Sequence, residues 1–244
     1  MRALPILLAA LFAIPLASPG LAKAPVTAPA KAPANAARPA PTDWTRTVTL
    51  TPDGAFVLGN PRATRMVEYV SYTCSHCAHF VGEASAPLRA DWVRRGALSI
   101  EVRNAIRDPY DLTAAVLARC GGPARFFGDH EALFANQTDW MPRIEPYEQK
   151  RADQPPIKDP GQQLAAIAEG TGLSSFMARR GLPLARQRAC FADKATLTTL
   201  AAMAKDAWEV KQIGGTPSFS VGGTMVAEVH DWNGLRGALP APRK

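Results

Sequence analysis

The sequence predicts an α/β fold in which a βαβ unit and a closing β-hairpin with its helix are separated by a block of helices. Three observations predict it. An apolar, β-prone run from Met66 to Tyr72 leads into Cys74-Ser75-His76-Cys77, and the residues after it (Ala78, Phe80, Val81, Ala84) recur at helical spacing. From Asp108 to Gln212 the pattern is almost wholly helical. Gly214-Gly215-Thr216-Pro217 then returns the chain to two short β-prone runs, Ser218 to Val221 and Thr224 to Val229, joined by Gly222-Gly223.

In chain order, Trp44 to Leu50 alternates and is predicted as a strand, followed by a turn at Pro52-Asp53-Gly54. The central strand is expected over Arg65 to Ser71. The helix after it should run from Cys74 to about Trp92, kinked or broken at Pro87 and stopped by Gly96. Ala97 to Ile106 completes a βαβ unit whose two strands lie parallel. Asp108-Pro109 starts a helix that ends at Cys120 before Gly121-Gly122, and Pro123 opens the next. Met141 to Pro160, polar and proline-rich, reads as a loop. Helices follow over Gly161 to Glu169, Ser174 to Arg180, Pro183 to Phe191 and Lys194 to Gln212, and Asp231 caps a last one that buries Trp232, Leu235 and Leu239. Strand, helix, strand, then hairpin and helix make a thioredoxin fold. It is assigned residues 43–108 and 193–244, with a helical domain, residues 109–192, inserted into it.

The N-terminus reads as a secretory signal over residues 1–22: Arg2, an apolar run from Ala3 to Leu16, and a small-residue exit at Gly20-Leu21-Ala22, with cleavage expected after Ala22. Residues 23–42 are Ala/Pro-rich and read as a disordered tether. An exported chain meets an oxidising compartment in which disulfides persist, and four cysteines suit it. The net charge of +7 does not mark a nucleic-acid binder. Arg2, Lys23, Lys31 and Arg38 fall in the first 41 residues without a compensating acid, and beyond them the basic residues occur as isolated pairs.

Cys74 and Cys77 carry the chemistry. A cysteine at the first turn of a helix faces backbone N–H groups without intrahelical partners and the positive end of the helix dipole, so its thiolate is favoured. Cys77, one turn deeper, is expected to be sheltered while Cys74 is exposed. A zinc site needs four ligands, typically as two close pairs, and Cys120 and Cys190 form no second close pair. No metal and no cofactor is therefore expected. His76, between the cysteines, can donate to the Cys74 thiolate, each unit of thiol pKa depression being worth about 1.4 kcal/mol. Glu68, an acid inside an apolar strand, reads as a proton relay or electrostatic tuner for Cys77. Thr216-Pro217 fits an ordinary strand start or a cis-proline that frees the Thr216 backbone to pair with an extended peptide. Cys120 and Cys190 admit a structural clamp, a second redox pair or two free thiols. His79, His130 and His230 read as core or surface histidines.

The run VEYVSYTCSHCAHF, the later GGTPSF and the helical block between them resemble the DsbA-like thiol:disulfide oxidoreductases of bacterial cell envelopes. The resemblance implies that Cys74 attacks and becomes linked to substrate, that Cys77 resolves, that Glu68 is the buried acid and that Pro217 is cis. It also implies a periplasmic monomer that donates the Cys74–Cys77 disulfide to unfolded or newly exported proteins and is reoxidised by a membrane partner. Two positions depart from the best-known members: Ser75 stands where they carry proline, and Thr216 is a choice also seen in isomerase-type relatives. The alternatives are an isomerase or reductase kept reduced by a partner and, in another class, a zinc-stabilised or chaperone-like module without turnover.

Overall fold

The computed structural model describes residues 42–242; the expected signal segment, and the tether up to Pro41, lie outside them. Six strands, β1 (Val48–Leu50), β2 (Phe56–Gly59), β3 (Thr64–Val70), β4 (Leu98–Asn104), β5 (Ser218–Val221) and β6 (Thr224–Val226), form one sheet in the order β1-β2-β4-β3-β5-β6. Only β3 and β4 run parallel, Met66 opposite Ile100 and Glu68 opposite Val102. β3 is thus flanked on both sides, and its interior positions Met66, Tyr69 and Val70 are buried. This is a thioredoxin fold with a helical insertion.

Helix α1 (Ser75–Pro87) follows β3 directly and buries Cys77, Phe80, Val81 and Ala84, one apolar stripe at helical spacing. Pro87 has no N–H to continue the ladder, and from Leu88 to Val93 the chain widens into a π-helical turn. Gly96 then reverses the chain at φ +68°, in the left-handed region that glycine tolerates.

Between β4 and the end of the sheet lie α2 (Pro109–Cys120), α3 (Pro123–Ala135), α4 (Gln137–Trp140), α5 (Ile144–Arg151), α6 (Pro160–Gly170), α7 (Leu173–Arg179), α8 (Leu184–Phe191) and α9 (Lys194–Lys205). The last element among the described residues is α10 (Trp232–Ala238). Aspartates cap four of these helices. Asp108, Asp159, Asp193 and Asp231 each accept a backbone N–H of the first turn with their own carboxylate.

The structure corrects the sequence reading in three places. Trp44–Arg46 is a 3-10 turn capped by the Asp43 side chain, and only Val48–Leu50 pairs as strand. Met141 to Pro160 is not all loop: a 3-10 turn over Met141–Arg143 runs into α5. Pro142 and Pro146 fall in first turns, where a missing N–H costs no hydrogen bond, and Glu145 with Lys150 and Arg151 complements the dipole of α5. The helix expected to reach Gln212 ends as α-helix at Lys205 and continues as a π-helical turn to Val210.

Sheet and insertion share one core. A single buried cluster runs from Phe56, Leu58 and Val102 through Phe80 and Leu88 to Phe126, Leu133, Trp140, Leu164 and Phe191. Phe56 of β2 stacks on Phe126 of α3 with ring centroids 4.3 Å apart.

Cys120, at the end of α2, is joined by a disulfide to Cys190 in α8, 70 residues on. Closing a loop of that length is worth about 4 kcal/mol in the chain-entropy model. The double variant Cys120→Ala/Cys190→Ala is predicted to lose about that much stability in a urea titration. A loss below about 1 kcal/mol would mean that the bridge does not clamp the insertion.

Candidate active site

Cys74 is the N-cap of α1, in extended conformation (φ −92°, ψ 117°), and its carbonyl accepts the Ala78 N–H at 3.2 Å. Its sulfur is less open than the sequence suggested. The residue is 5 % exposed and Cys77 is fully buried. The Thr216 carbonyl lies 3.0 Å from the Cys74 sulfur, and the Thr216–Pro217 bond is cis. Sheet register explains the meeting: Ser218 of β5 pairs with Tyr69 of β3, so Thr216 and Pro217 fall beside the residues that lead from β3 into α1. Both cysteines are free thiols here.

The two sulfurs differ in electrostatics. Cys74 is held down to about 4, first by a hydrogen bond from the Cys77 thiol, then by Thr216, by the Cys77 backbone N–H and by the charge of Arg107, against the opposing effect of burial. Thr216 acts in two senses. Its carbonyl takes the thiol proton, which favours the thiol, whereas its buried hydroxyl has no other partner and is available to the thiolate. The thiolate donors prevail. Cys77 goes the other way, raised first by burial, then by its hydrogen bond to Cys74 and the Cys74 charge, with Glu68 adding to the rise.

Glu68 is 4 % exposed, and its Oε1 has no hydrogen-bond partner. It faces a cavity of about 20 Å³ lined also by Ser85, Arg89, His130 and Glu131. Burial, with a smaller push from Glu131, raises its carboxyl to about 8, so at neutral pH it is mostly protonated.

Among the expected site residues, Cys74, Cys77, Thr216 and Pro217 come together. Glu68 lies on β3 beneath them, and its charge is felt at Cys77. His76 is exposed and makes no hydrogen bond to the Cys74 sulfur. Cationic support comes instead from Arg107, which the sequence did not single out. Its guanidinium donates to Ser71 Oγ at 3.0 Å and to Thr73 Oγ1 at 3.2 Å, and Thr73 in turn donates to Asp108 at 2.6 Å. His230, whose Nδ1 is 2.7 Å from the Pro217 carbonyl, and Gln137 and Asp111, which reach the redox loop from α4 and α2, were also missed. No periodicity marks such contacts. His130 is a core residue: buried, bonded through Nδ1 to the Tyr72 hydroxyl, and kept neutral by a pKa lowered to about 3 through burial and Arg89. Among the described residues, no group of three or more His, Cys, Asp or Glu is placed to hold a metal.

The profile of the thioredoxin family matches residues 51–241. The chain belongs to that family. Similar proteins share the fold or are named for disulfide chemistry. A solved protein-disulfide isomerase from Novosphingobium aromaticivorans is 37 % identical, with TM-score 0.68, over 75 % of this chain and 93 % of the other. Alpha-DsbA1 of Wolbachia pipientis shares the fold at 22 % identity and TM-score 0.57, over 70 % of this chain and 76 % of its own. A Rickettsia prowazekii relative, named for protein-disulfide oxidoreductase activity, is 30 % identical over 176 residues, which are 71 % of this chain and 56 % of the relative. The chain therefore spans about half the length of that curated relative.

Two measurements follow. Absorbance of the thiolate should report a Cys74 midpoint near 4 in the reduced protein; a midpoint near 8.5, that of free cysteine, would refute the site electrostatics. Glu68 has a folded pKa raised above its unfolded value. As an acid it therefore costs stability once pH exceeds about 4.5, and the cost grows until pH passes about 8. Glu68→Gln is predicted to stabilise the protein by about 3 kcal/mol at pH 7 and by almost nothing at pH 4, read from urea midpoints. Equal effects at the two pH values would contradict the shift.

Proposed function

We propose that the protein is an extracytoplasmic thiol:disulfide oxidoreductase that donates the Cys74–Cys77 disulfide to exported polypeptides. The observation that carries this reading is the asymmetry of the pair. Cys74 sits at a helix N-terminus under a residue that precedes a cis-proline, with its thiolate favoured, while Cys77 is buried with its thiol favoured.

In the oxidised protein a client thiolate attacks Cys74 Sγ. The Cys74–Cys77 bond breaks, a client–Cys74 bond forms, and Cys77 leaves with the electron pair and takes up a proton. Glu68, mostly protonated at neutral pH and coupled to Cys77, is the proposed source of that proton. A second client thiolate then attacks the client sulfur of the mixed disulfide. Cys74 departs as a thiolate, the client gains a disulfide, and the protein is left two electrons reduced. The low pKa of Cys74 makes it the better leaving group in this step and stabilises the reduced protein, so the disulfide is a strong oxidant. The Thr216 backbone beside Pro217 would pair with the client as an added strand. A membrane redox partner would reoxidise the pair. The leader-like residues 1–22 and the tether 23–42 support a periplasmic site of action. Residues 43–108 with 193–244 would form the redox domain and 109–192 the insertion.

The Novosphingobium neighbour, named as an isomerase, and Thr216 before the cis-proline favour a second reading, an isomerase held reduced. The reduction potential separates the two. A value near −120 mV is that of a strong oxidant, one near −180 mV that of a disulfide isomerase and one near −270 mV that of a reductant. In cells, Cys77→Ala should accumulate client adducts on Cys74 that dithiothreitol releases. A complete lack of adducts would count against exchange in either direction.

A further inference from the structure

Tyr72 stands two residues before the nucleophile, and each of its polar groups is held by a side chain from the helices between β4 and α9. Its N–H donates to Asp111 Oδ1 of α2 at 2.7 Å, its carbonyl accepts from Gln137 Nε2 of α4 at 2.8 Å, and its hydroxyl meets His130 Nδ1 of α3 at 2.9 Å. Its ring stacks on Phe134 with centroids 4.7 Å apart. The same Gln137 amide nitrogen also donates to the Cys74 carbonyl at 3.0 Å. Gln137 is 7 % exposed, so both N–H groups of one buried amide are spent on the backbone of the redox loop.

The helix starts show why this matters. Asp108, Asp159, Asp193 and Asp231 fix their own N-cap conformations through their carboxylates, but the Cys74 side chain makes no capping bond. The sulfur has to remain free to react, so the extended backbone at Cys74 must be held from outside. Its N–H donates to the Ser71 carbonyl at 3.1 Å, and its own carbonyl receives both Ala78 N–H and Gln137. Gln137 is the side chain that reaches this carbonyl and that of Tyr72 together.

We propose that Gln137 is a positioning residue for the exchange reaction, its single amide clamping the Tyr72 and Cys74 carbonyls so that the Cys74 sulfur is presented to Cys77 and Thr216. The proposal rests on the thiol:disulfide reading above and adds a role for the inserted helices: they set the reactivity of the nucleophile through one amide. Losing the clamp frees the Cys74 peptide to turn, and the sulfur loses its thiolate donors.

The insertion supplies its own control. Gln187 of α8 is 1 % exposed and likewise spends its amide nitrogen on two carbonyls, those of Ser174 at 3.0 Å and Leu182 at 2.8 Å, with no bond to the redox loop. Gln137→Leu and Gln187→Leu thus remove the same chemistry from two places. The readouts are the Cys74 midpoint from thiolate absorbance, the equilibrium constant with glutathione and the urea midpoint. Gln137→Leu is expected to raise the Cys74 midpoint by at least one pH unit and to shift the glutathione equilibrium about tenfold toward the protein disulfide, about 30 mV. Gln187→Leu, which also removes an unpaired buried Oε1, should move neither redox quantity whatever its urea midpoint. An unchanged midpoint and equilibrium constant in Gln137→Leu, or equal shifts in both variants, would overturn the proposal. If Gln137→Leu does not fold, Gln137→Met keeps the length, removes both donors without adding a charge and is judged by the same thresholds. Wild-type protein titrating like free cysteine would instead refute the thiol–disulfide reading, whereas a wild-type midpoint near 4 with unmoved variants removes only the role of Gln137.

Discussion

A negative charge on a sulfur that water hardly reaches is the constraint around which this molecule is arranged. Burial alone raises a thiol pKa, and it does so at Cys77. At Cys74, only 5 % exposed, the same penalty is outweighed because fixed donors converge on the sulfur: the Cys77 thiol and backbone N–H, Thr216, and the charge of Arg107 behind the loop. One turn of helix separates the two cysteines. At the N-cap a sulfur meets N–H groups that have no intrahelical partner, whereas the Cys77 sulfur is fully buried and burial is what penalises its charge. A modest displacement along one helix thus gives two cysteines with opposite preferences, which is the difference that thiol–disulfide exchange requires.

Keeping that geometry is a task shared across the fold. The sheet brings Thr216 to the sulfur through the pairing of β5 with β3 and places Glu68 beneath the pair through β3 itself. The inserted helices hold the opposite side of the loop. Asp111, Gln137 and His130 take the polar groups of Tyr72, and Asp108 takes Thr73. The insertion is not an independent body leaning on a redox domain. Its aromatic residues and those of the sheet form one core, in which Phe56 and Phe126 stack and Tyr72 is enclosed. Through Gln137 the insertion also reaches the Cys74 carbonyl directly.

Glu68 illustrates the balance between stability and chemistry. A buried carboxyl opposes folding whenever it ionises, and its raised pKa reflects that. In the proposed exchange the same neutral acid, whose charge would be felt at the buried sulfur, would serve as the proton source. Cost and proposed use arise from one cause, the burial of the carboxyl.

Much of this was legible in the chain. The apolar run before Cys74, the Asp-Pro and Asp helix starts, the glycine hairpin and the Thr-Pro are short-range signals. They fixed the parallel βαβ unit, most helices and the residues Cys74, Cys77, Glu68, Thr216 and Pro217, because backbone sterics, capping and alternation act over a few residues. Helix α5 was missed because proline density reads as loop unless the prolines fall in first turns, where they cost no hydrogen bond. His76 looked like the cation for the thiolate because it is adjacent in sequence, yet Arg107, 33 residues from Cys74, is the charge the fold turns toward the loop. Gln137 and Asp111 reach that loop from still other helices. By itself the sequence determined which groups could react and where the chain would turn. The tertiary structure alone decided which distant side chains would hold them, since contacts across tens of residues depend on packing that no local pattern encodes.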